Sequence, residues 1–433
     1  FGSSRKRASS PRVVSIDPPS LRRHNGCALI EGQRSMRALI GGLFNGGSSG
    51  RGDSPEAQAK DKSGRAGGEG GSSGSHGISS AGASMKGRSQ VLALGDATPV
   101  TQEELDKVAK QLADGMEPWE EGSFTFVNTL QDAVRNHGRV DLMRDIQDGG
   151  RQVAVKRMPN RWVRSSPEKF KEQYPSTSER PWYDFGLVRL LNSRGFPHIC
   201  ELLGIFRDDE HTYVVTSLAS SGDLFEWCER DPRPGKAREE MMQPIARQIF
   251  RGVRWLHELG IAHRDLSLEN ILLADDQQVK IIDFGMATLS RRCYREVRGK
   301  KSYQAPEMHE EEEYDPCLTD AFSLGVVLFA MAVEDYPWNA TNRSQCQLFE
   351  YVCMFGFWKF LEKRKLRKGK GEHLKDVLSE NLANLLEGLL RMQPSERLIL
   401  GDPPGTSQAS SSRRSVWENR WLSERGQPTS TPL

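Results

Sequence analysis

Regular spacing of apolar residues predicts a helix ahead of the main folded region. In TQEELDKVAKQLADG (101–115), apolar residues recur every three or four positions, which is the period of an amphipathic helix. Thr101 and Glu104 match a capping box at its start, and Gly115 is suited to its end. We expect this helix to pack on the domain that follows it. The alternative is a docking or regulatory helix.

The pattern becomes globular from about Phe124. RQVAVKRM (151–158) and TYVVTSL (212–218) are short and rich in β-branched residues, as strands are. EEMMQPIARQIFRGVRWLHELG (239–260) has the period of a long amphipathic helix, and the signals after Asp320 are mainly helical. A small strand-rich part followed by a larger helical part predicts an α+β fold of two lobes with a cleft between them.

The N-terminal region has a different composition. Residues 1–95 are dominated by Gly, Ser and Arg and contain fourteen Lys/Arg against six Asp/Glu. Such a segment buries too little apolar surface to offset its ordering entropy, so we expect disorder. An organelle transit peptide is the alternative, because the segment is rich in Arg and Ser and poor in acids. The Arg-Gly-Asp at 51–53 is attributed to chance composition.

Charge, cysteine usage and hydropathy narrow the class of protein. The net charge of +2 argues against a nucleic-acid partner. Seven cysteines without CxxC spacing indicate reduced thiols, so we expect a cytoplasmic or nuclear protein. The apolar run LGVVLFAMAV (324–333) is half the ~20 residues of a membrane span, which predicts a buried helix and no membrane span. The basic run KRKLRKGK (363–370) is interpreted as a solvated face, with a nuclear signal or docking patch as the alternative.

One segment concentrates polar groups that are costly to bury. IAHRDLSLENILLADDQQVKIIDFGMA (261–287) places Asp265, Asn270 and Asp283 close together. Carboxylates and amides are buried only when something compensates them. Their proximity indicates that they face a common polyanion and its metal ions.

Six landmarks in a fixed order resemble the eukaryotic protein kinase superfamily. They are VAVK ending at Lys156, HRDLSLEN with Asp265 and Asn270, DFG at 283–285, APE at 305–307, the helix DAFSLGVVLF from Asp320, and PSERL with Arg397 as the partner of Glu307. The resemblance covers about residues 124–422, and the spelling HRDLSLEN is similar to that of protist kinases. Near its end, RRSVWENRWL (413–422) resembles the family's last helix. The resemblance implies a bilobal protein-kinase fold, with a small antiparallel β-sheet N-lobe and a larger helical C-lobe.

The resemblance also implies ATP and Mg²⁺ as cofactors and proteins as substrates. Lys156 is expected to hold the α- and β-phosphates as a point charge. Asp283 and Asn270 are the expected ligands of Mg²⁺, a hard ion that prefers oxygen. Asp265 is the expected catalytic acceptor of the proton of the substrate hydroxyl.

Further nucleotide contacts follow from position in the family's pattern. Ala154, Val140 and Leu272 are expected to sandwich the adenine. Thr216 falls at the gatekeeper position, where a small side chain leaves a back pocket open. Asp223 is placed to reach the ribose hydroxyls.

The glycine loop departs from the family's pattern. Its three glycines map to Ala133, Arg135 and Gly138, so only the last is kept. Glycine allows backbone amides to approach phosphates closely, so the first two replacements put this loop in doubt. The Arg135 side chain is a candidate replacement for the lost amide contacts.

The small lobe's helix also departs from the pattern. The acid expected to pair with Lys156 is Asp184 rather than the usual Glu, which requires the helix to sit closer. The 27 residues between Lys156 and Asp184 are more than usual. The polar stretch RSSPEKFKEQYPSTSER (164–180) among them is expected to be a surface loop.

Two catalytic positions have exchanged residue types. Ser267 stands where serine/threonine kinases have Lys, and Lys300 stands where they have Thr. In the family these side chains meet beside the catalytic Asp. We therefore expect Lys300 and Ser267 to be in contact and to share the usual charge role.

Arg264 directly precedes Asp265. In kinases that have Arg at this position, an anion neutralises it, normally a phosphate on the activation segment. The residue at the usual phosphosite is Glu296. We expect Glu296 to pair with Arg264 and to replace the phosphate in part. The alternative is a solvated Glu296, with Thr288, Ser290 or Tyr294 phosphorylated instead.

The predicted function is ATP-dependent phosphoryl transfer to Ser/Thr of proteins by a monomer. A pseudokinase that binds ATP weakly and acts as a scaffold is the main alternative. A small-molecule kinase is disfavoured, because the segment ending in APE shapes a peptide-binding face. The predicted organisation is a disordered region (1–95), a leader helix (96–122), a kinase domain (123–423) and a tail (424–433).

Overall fold

In the computed structural model, the described residues are 98–133, 138–230, 232–310, 312–343, 345–401 and 414–422. They all belong to one compact unit within Gln90–Leu433. Several predictions lie outside the described residues: the disordered region 1–95 with its Arg-Gly-Asp, Arg135 of the glycine loop, the side chain of Ala133, and the tail 424–433.

The elements follow the two-part order predicted from the sequence. The strands are β1 (Glu117–Pro118), β2 (Phe124–Ala133), β3 (Gly138–Asp145), β4 (Arg151–Pro159), β5 (Leu202–Arg207), β6 (His211–Ser217), β7 (Ile271–Leu273), β8 (Val279–Ile281), β9 (Cys293–Tyr294) and β10 (Glu313–Tyr314). The helices are α1 (Gln102–Asp114), α2 (Asn160–Val163), α3 (Pro167–Gln173), α4 (Pro181–Ser193), α5 (Leu224–Cys228), α6 (Lys236–Glu258), α7 (Glu307–Glu310), α8 (Pro316–Val333), α9 (Gln347–Phe355), α10 (Phe357–Lys363), α11 (Leu374–Val377) and α12 (Glu380–Leu389).

The small lobe is built on a sheet in the order β1-β5-β6-β4-β3-β2. Strands β2 to β6 pair antiparallel, as the resemblance implies, and the two-residue β1 adds a parallel edge to β5. Val153 and Val155 of β4 are fully buried while Ala154 and Lys156 between and after them are not. This alternation gives β4 one core face and one face toward the cleft.

The large lobe is helical around α6 and α8. Helix α8 is buried on nearly all sides, and its apolar residues join those of α6 and α12 in the main core. By length and composition α8 could cross a membrane, but 94% of it is buried inside the protein. The prediction of a buried core helix at 324–333 is therefore confirmed.

The ion pair predicted between the APE segment and PSERL is formed in the large lobe. The guanidinium of Arg397 contacts both carboxylate oxygens of Glu307, at 2.5 and 2.9 Å. Both side chains are almost completely buried. Such a bidentate pair fixes the end of the activation segment to the large lobe's core.

The stretch 164–180 is not simply the surface loop that was predicted. It contains α3, which begins with Ser166 accepting from the amide of Lys169 and with a proline in its first turn. Phe170 is buried in a cluster with Val163, Trp182 and other side chains of the small lobe. A single buried aromatic among polar residues gives too weak a periodic signal to predict this helix.

The C-terminal segment also differs from expectation. The predicted last helix (413–422) is only a 3₁₀ turn, Val416–Glu418, capped reciprocally by Ser415 and Glu418. Its function in packing is kept, because the indole of Trp421 is buried and donates to Glu239 of α6.

The basic run 363–370 makes contacts within the chain. Arg364 pairs with Asp335 at 2.8 Å, and Lys368 pairs with Glu334 at 2.9 Å. The two acidic partners, Glu334 and Asp335, come directly after the last residue of α8. The alternatives of a nuclear signal and a docking patch stay untested.

Candidate active site

Lys156 lies on the cleft face of β4 because of strand register. It is directly opposite Val140 on β3 and Val214 on β6. Ala154, two residues earlier, faces the same way and is opposite Thr216. Cross-strand partners share a face, so these predicted nucleotide contacts form one surface.

Helix α4 brings a carboxylate to Lys156. The Nζ of Lys156 lies 3.5 Å from Oδ2 of Asp184 and 4.0 Å from Oδ1 of Asp283. The other oxygen of Asp184 accepts from the backbone amide of Phe284 at 2.9 Å. Asp184 thus joins the lysine strand to the DFG segment, and its predicted pairing with Lys156 is formed.

The charges around Lys156 keep it protonated. Burial alone would lower the pKa of Lys156, but the carboxylates of Asp283, Asp184 and Glu179 outweigh it and raise that pKa. An ammonium in this place suits the binding of a polyanion. Glu179, just before α4, is a contributor that the sequence did not reveal.

Asn270 and Asp283 are held close by the backbone between them. The amide of Ile282, which precedes Asp283, donates to the carbonyl of Asn270 at 3.0 Å. Asp283 has a left-handed backbone with φ of 66°, a strained conformation for a residue other than glycine. Such strain is typical of functional sites, where the surrounding structure holds it.

Asp265 and Asn270 are also in direct contact. The Nδ2 of Asn270 donates to the Asp265 carbonyl at 2.7 Å and lies 3.3 Å from Asp265 Oδ2. Because the amide nitrogen is used in this way, the amide oxygen of Asn270 is oriented to other partners. Oxygen from Asn270 and carboxylate from Asp283 form a donor set that fits Mg²⁺.

Asp320 anchors the catalytic loop, and the sequence interpretation missed this role. Its carboxylate accepts from the amides of His263 and Arg264 at 2.8 and 2.7 Å, and it contacts Nε2 of His257 at 2.9 Å. Asp320 is completely buried near the start of the apolar helix α8. The available signal was a carboxylate within an otherwise apolar helix, which requires compensation.

The contact predicted between the two exchanged residues is formed. The Nζ of Lys300 donates to the Oγ of Ser267 at 2.8 Å and lies 2.9 Å from a carboxylate oxygen of Glu269. Burial would raise the pKa of Glu269, but Lys300 outweighs it and lowers that pKa. Ser267 is fully buried two residues after Asp265, so the ammonium is fixed beside the catalytic loop.

The predicted pair of Arg264 and Glu296 is formed as well. Nη1 of Arg264 contacts Oε2 of Glu296 at 2.7 Å, and Arg298 contacts the same oxygen at 3.1 Å. Burial would raise the pKa of Glu296, but the hydrogen bond and charge of Arg264 lower it. Nη1 of Arg264 also donates to the buried thiol of Cys293 at 3.4 Å, a contact that the sequence did not indicate.

Two predicted nucleotide contacts come from the large-lobe side. Leu272, in the middle of β7, is half-buried between two buried neighbours and bridges to Asp223 through the backbone. Oδ1 of Asp223 caps α5 by accepting from the amide of Glu226 at 2.8 Å. Burial raises the pKa of Asp223 to about 7.

The turn of the glycine loop lies between β2 and β3 and is outside the described residues. Its last glycine, Gly138, starts β3 and pairs with Ala133. A Cβ at Gly138 would lie 2.2 Å from the carbonyl oxygen of Arg157. The requirement for glycine here is therefore explained by strand packing, without reference to a phosphate.

Comparison with known proteins agrees with this geometry. The family model described as "Protein kinase domain" matches residues 136–402, more than half of the chain. The chain belongs to the protein kinase family. The match lies within the predicted domain 123–423, whose boundaries remain a prediction.

A curated relative indicates the type of kinase to which the chain is similar. It is "Serine/threonine-protein kinase 36" of Mus musculus, which is 31% identical over 224 residues. The alignment includes 50% of this chain and 15% of that protein. The chain thus covers only a small part of its relative's length.

Proposed function

We propose that this protein is an active serine/threonine kinase that uses ATP and Mg²⁺. The contact of Lys156 with Asp184 supports the proposal most directly, because it pairs the lysine of β4 with the carboxylate of α4 inside the small lobe. The amide of Phe284, bound to the same Asp184, extends this connection to Asp283. The site thus has the preorganisation that phosphoryl transfer depends on.

In the proposed reaction, the hydroxyl of a substrate Ser or Thr attacks the γ-phosphorus of ATP. The bond from this phosphorus to the leaving oxygen of ADP breaks, and the hydroxyl proton passes to the carboxylate of Asp265. Lys156 binds the α- and β-phosphates, while Lys300, fixed on Ser267 and Glu269, supplies positive charge beside Asp265. Mg²⁺ held by Asp283 and Asn270 would neutralise charge on the phosphates.

Protein substrates, a monomeric state and a cytoplasmic location are also proposed for this enzyme. Protein substrates follow from family membership, and a monomer in the cytoplasm is the simplest arrangement. The six cysteines in the part of the chain that the structure describes are all unbridged, which supports a reducing compartment.

A pseudokinase is the second candidate, and two observations favour it. Gly138, the one glycine kept at the family's three loop positions, is explained by packing on β4 rather than by contact with a phosphate. The lysine partner is the shorter Asp184, at 3.5 Å rather than at direct hydrogen-bond distance of about 2.9 Å. Such a protein would bind nucleotide weakly and act as a scaffold.

A two-stage experiment separates the candidates. The thermal unfolding midpoint is measured with and without Mg-ATP, and phosphate transfer to a generic basic protein is then assayed. An active kinase is stabilised by Mg-ATP and transfers phosphate. Stabilisation without transfer supports the pseudokinase and contradicts the proposal.

A further inference from the structure

We propose that helix α1 is a built-in positioning element that holds α4, and with it Asp184, against Lys156. This inference rests on the proposed function, because the residue that α1 would position, Asp184, belongs to the proposed nucleotide site. Helix α1 precedes the kinase sheet and packs along α4. Four sets of contacts carry the inference.

The closest contact uses a glycine inside α4. A Cβ at Gly186 would lie 2.6 Å from Cδ1 of Leu105 and 3.6 Å from Cβ of Ala109. Glycine is unfavourable in a helix interior, so its presence here requires a reason. The reason is the close approach of α1, whose Leu105 and Ala109 are both buried.

The position of Gly186 relative to Asp184 makes this contact mechanically relevant. Residues two apart on a helix project about 200° from one another. Helix α1 therefore packs on the face of α4 opposite Asp184. Asp184 itself faces the cleft, where it contacts Nζ of Lys156 and accepts from the amide of Phe284.

Polar contacts fix the direction of α1 along α4. Both carboxylate oxygens of Glu104 lie 2.8 Å from Nη2 of Arg194, which follows the last residue of α4. At the other end of α4, the hydroxyl of Tyr183 donates to Gln102 at 3.0 Å. Glu104 thus binds Arg194 at the helix start, while Thr101 accepts from the Glu104 amide as the cap.

The residues before α1 are attached to the large lobe. The amide of Val100 donates to the carbonyl of Leu259 at 2.8 Å, directly after α6. The side chain of Val100 is buried in the main core. The segment from Val100 through α1 therefore ties the end of α6 in the large lobe to α4 in the small lobe.

The test compares Leu105→Ala with Leu385→Ala in the full chain. Both leucines are buried in helices, but Leu385 lies in α12 of the large lobe. Hydrogen exchange of the Phe284 amide, which is bound to Asp184, reports the position of α4 without any ligand. Leu105→Ala should accelerate this exchange and weaken Mg-ATP binding at least about fivefold, as expected for coupled sites. Leu385→Ala should lower the unfolding midpoint without either effect.

Further variants distinguish a loss of positioning from simple unfolding. Glu104→Gln removes the ion pair to Arg194 and should reproduce the effect more weakly, whereas Glu103→Gln, at an exposed neighbouring position, should not. Gly186→Ala should weaken Mg-ATP binding although alanine favours helices, and adding Leu105→Ala should relieve this loss by making room for the methyl group.

The decisive result is the combination with Asp184→Asn. If α1 acts through Asp184, Leu105→Ala should have little further effect on Mg-ATP affinity in the Asp184→Asn background. Full additivity, or equal hydrogen exchange of Phe284 in Leu105→Ala and Leu385→Ala, would overturn the inference. Binding and exchange as expected without any phosphate transfer would instead contradict the proposed function alone.

Discussion

Lys300, held on Ser267, places a positive charge beside Asp265, the proposed proton acceptor. The ammonium of Lys300 is held by the Ser267 hydroxyl at 2.8 Å and by Glu269 at 2.9 Å. Its charge therefore reaches the catalytic loop from the activation segment instead of from the loop itself. The reciprocal residue types keep one cation and one hydroxyl in the same small volume.

The exchange of these residue types predicts that mutations of Lys300 and Ser267 have non-additive effects on phosphate transfer. Lys300→Thr alone should impair phosphate transfer, because it removes the cation, and Ser267→Lys combined with Lys300→Thr should restore much of it. The measurement is kcat for the wild type, both single variants and the double variant. Strictly additive losses across this cycle would exclude a shared role.

A larger loss of activity is expected from changes at the residues proposed to bind Mg²⁺ and to accept the proton. Asp265→Asn removes the proton acceptor and should lower turnover by roughly 10²–10⁴-fold. Asp283→Asn should abolish transfer by removing a Mg²⁺ ligand. Steady-state turnover measures both, with Asp276→Asn at an exposed turn as the control. Near wild-type turnover in Asp265→Asn would show that its assigned role is wrong.

The raised pKa of Asp223 predicts that the stability of the folded protein depends on pH. This pKa rises from about 3.9 in the unfolded chain to about 7 in the folded protein, because burial disfavours the carboxylate. The folded state therefore binds the proton more tightly, and stability from this group is lost as pH rises from about 4 to about 7. Asp223→Asn keeps a good helix cap without this penalty.

The stability of Asp223→Asn relative to the wild type should increase with pH. The unfolding midpoint of Asp223→Asn relative to wild type should rise by roughly 2 °C or more between pH 5 and pH 8. Thermal scans at both pH values measure this difference. A constant difference would show that Asp223 titrates near its ordinary pKa.

At the scale of elements, the activation segment carries its own anion. Glu296 lies between Arg264 and Arg298, where it compensates a guanidinium that is almost fully buried. A Glu has one negative charge, whereas a phosphate has about −1.5 to −2. We therefore expect a segment that is ordered, and an enzyme that is at least partly active, without phosphorylation.

This arrangement predicts the response to a phosphatase. Wild-type activity should be unchanged by the treatment, and Glu296→Ala should lose about tenfold or more, because an uncompensated buried cation is costly. The control is Glu312→Ala, which breaks the exposed pair with Arg295. Collapse of wild-type activity after dephosphorylation would instead indicate that Thr288, Ser290 or Tyr294 is the required phosphosite.

The elements with a strong periodic pattern were predictable from the sequence. Helix α1 and strands β4 and β6 lie within one or two residues of the predicted segments. Helix α3 was missed because only Phe170 marks its buried side. The C-terminal helix was overpredicted because Val416, Trp421 and Leu422 are buried from an irregular backbone. Tertiary packing decides such segments rather than local periodicity.

At the scale of the molecule, the candidate site forms where the lobes meet. Motif order was enough to anticipate the contacts of Lys156 with Asp184, Lys300 with Ser267, and Arg264 with Glu296. The anchoring by Asp320 could not be derived from spacing, because it depends on three groups brought together by folding. The contact of α1 with Gly186 likewise requires the relative position of two helices.

The central claim is that the assembled site transfers phosphate to proteins. The most direct measurement is the incorporation of labelled γ-phosphate from Mg-ATP into a peptide library by the full chain, followed by identification of the phosphorylated amino acids. Asp283→Asn, purified in parallel, controls for contaminating kinases. We predict label on serine and threonine with the wild type and none above background with Asp283→Asn. Mg-ATP binding by the wild type with label no higher than in Asp283→Asn would contradict the account.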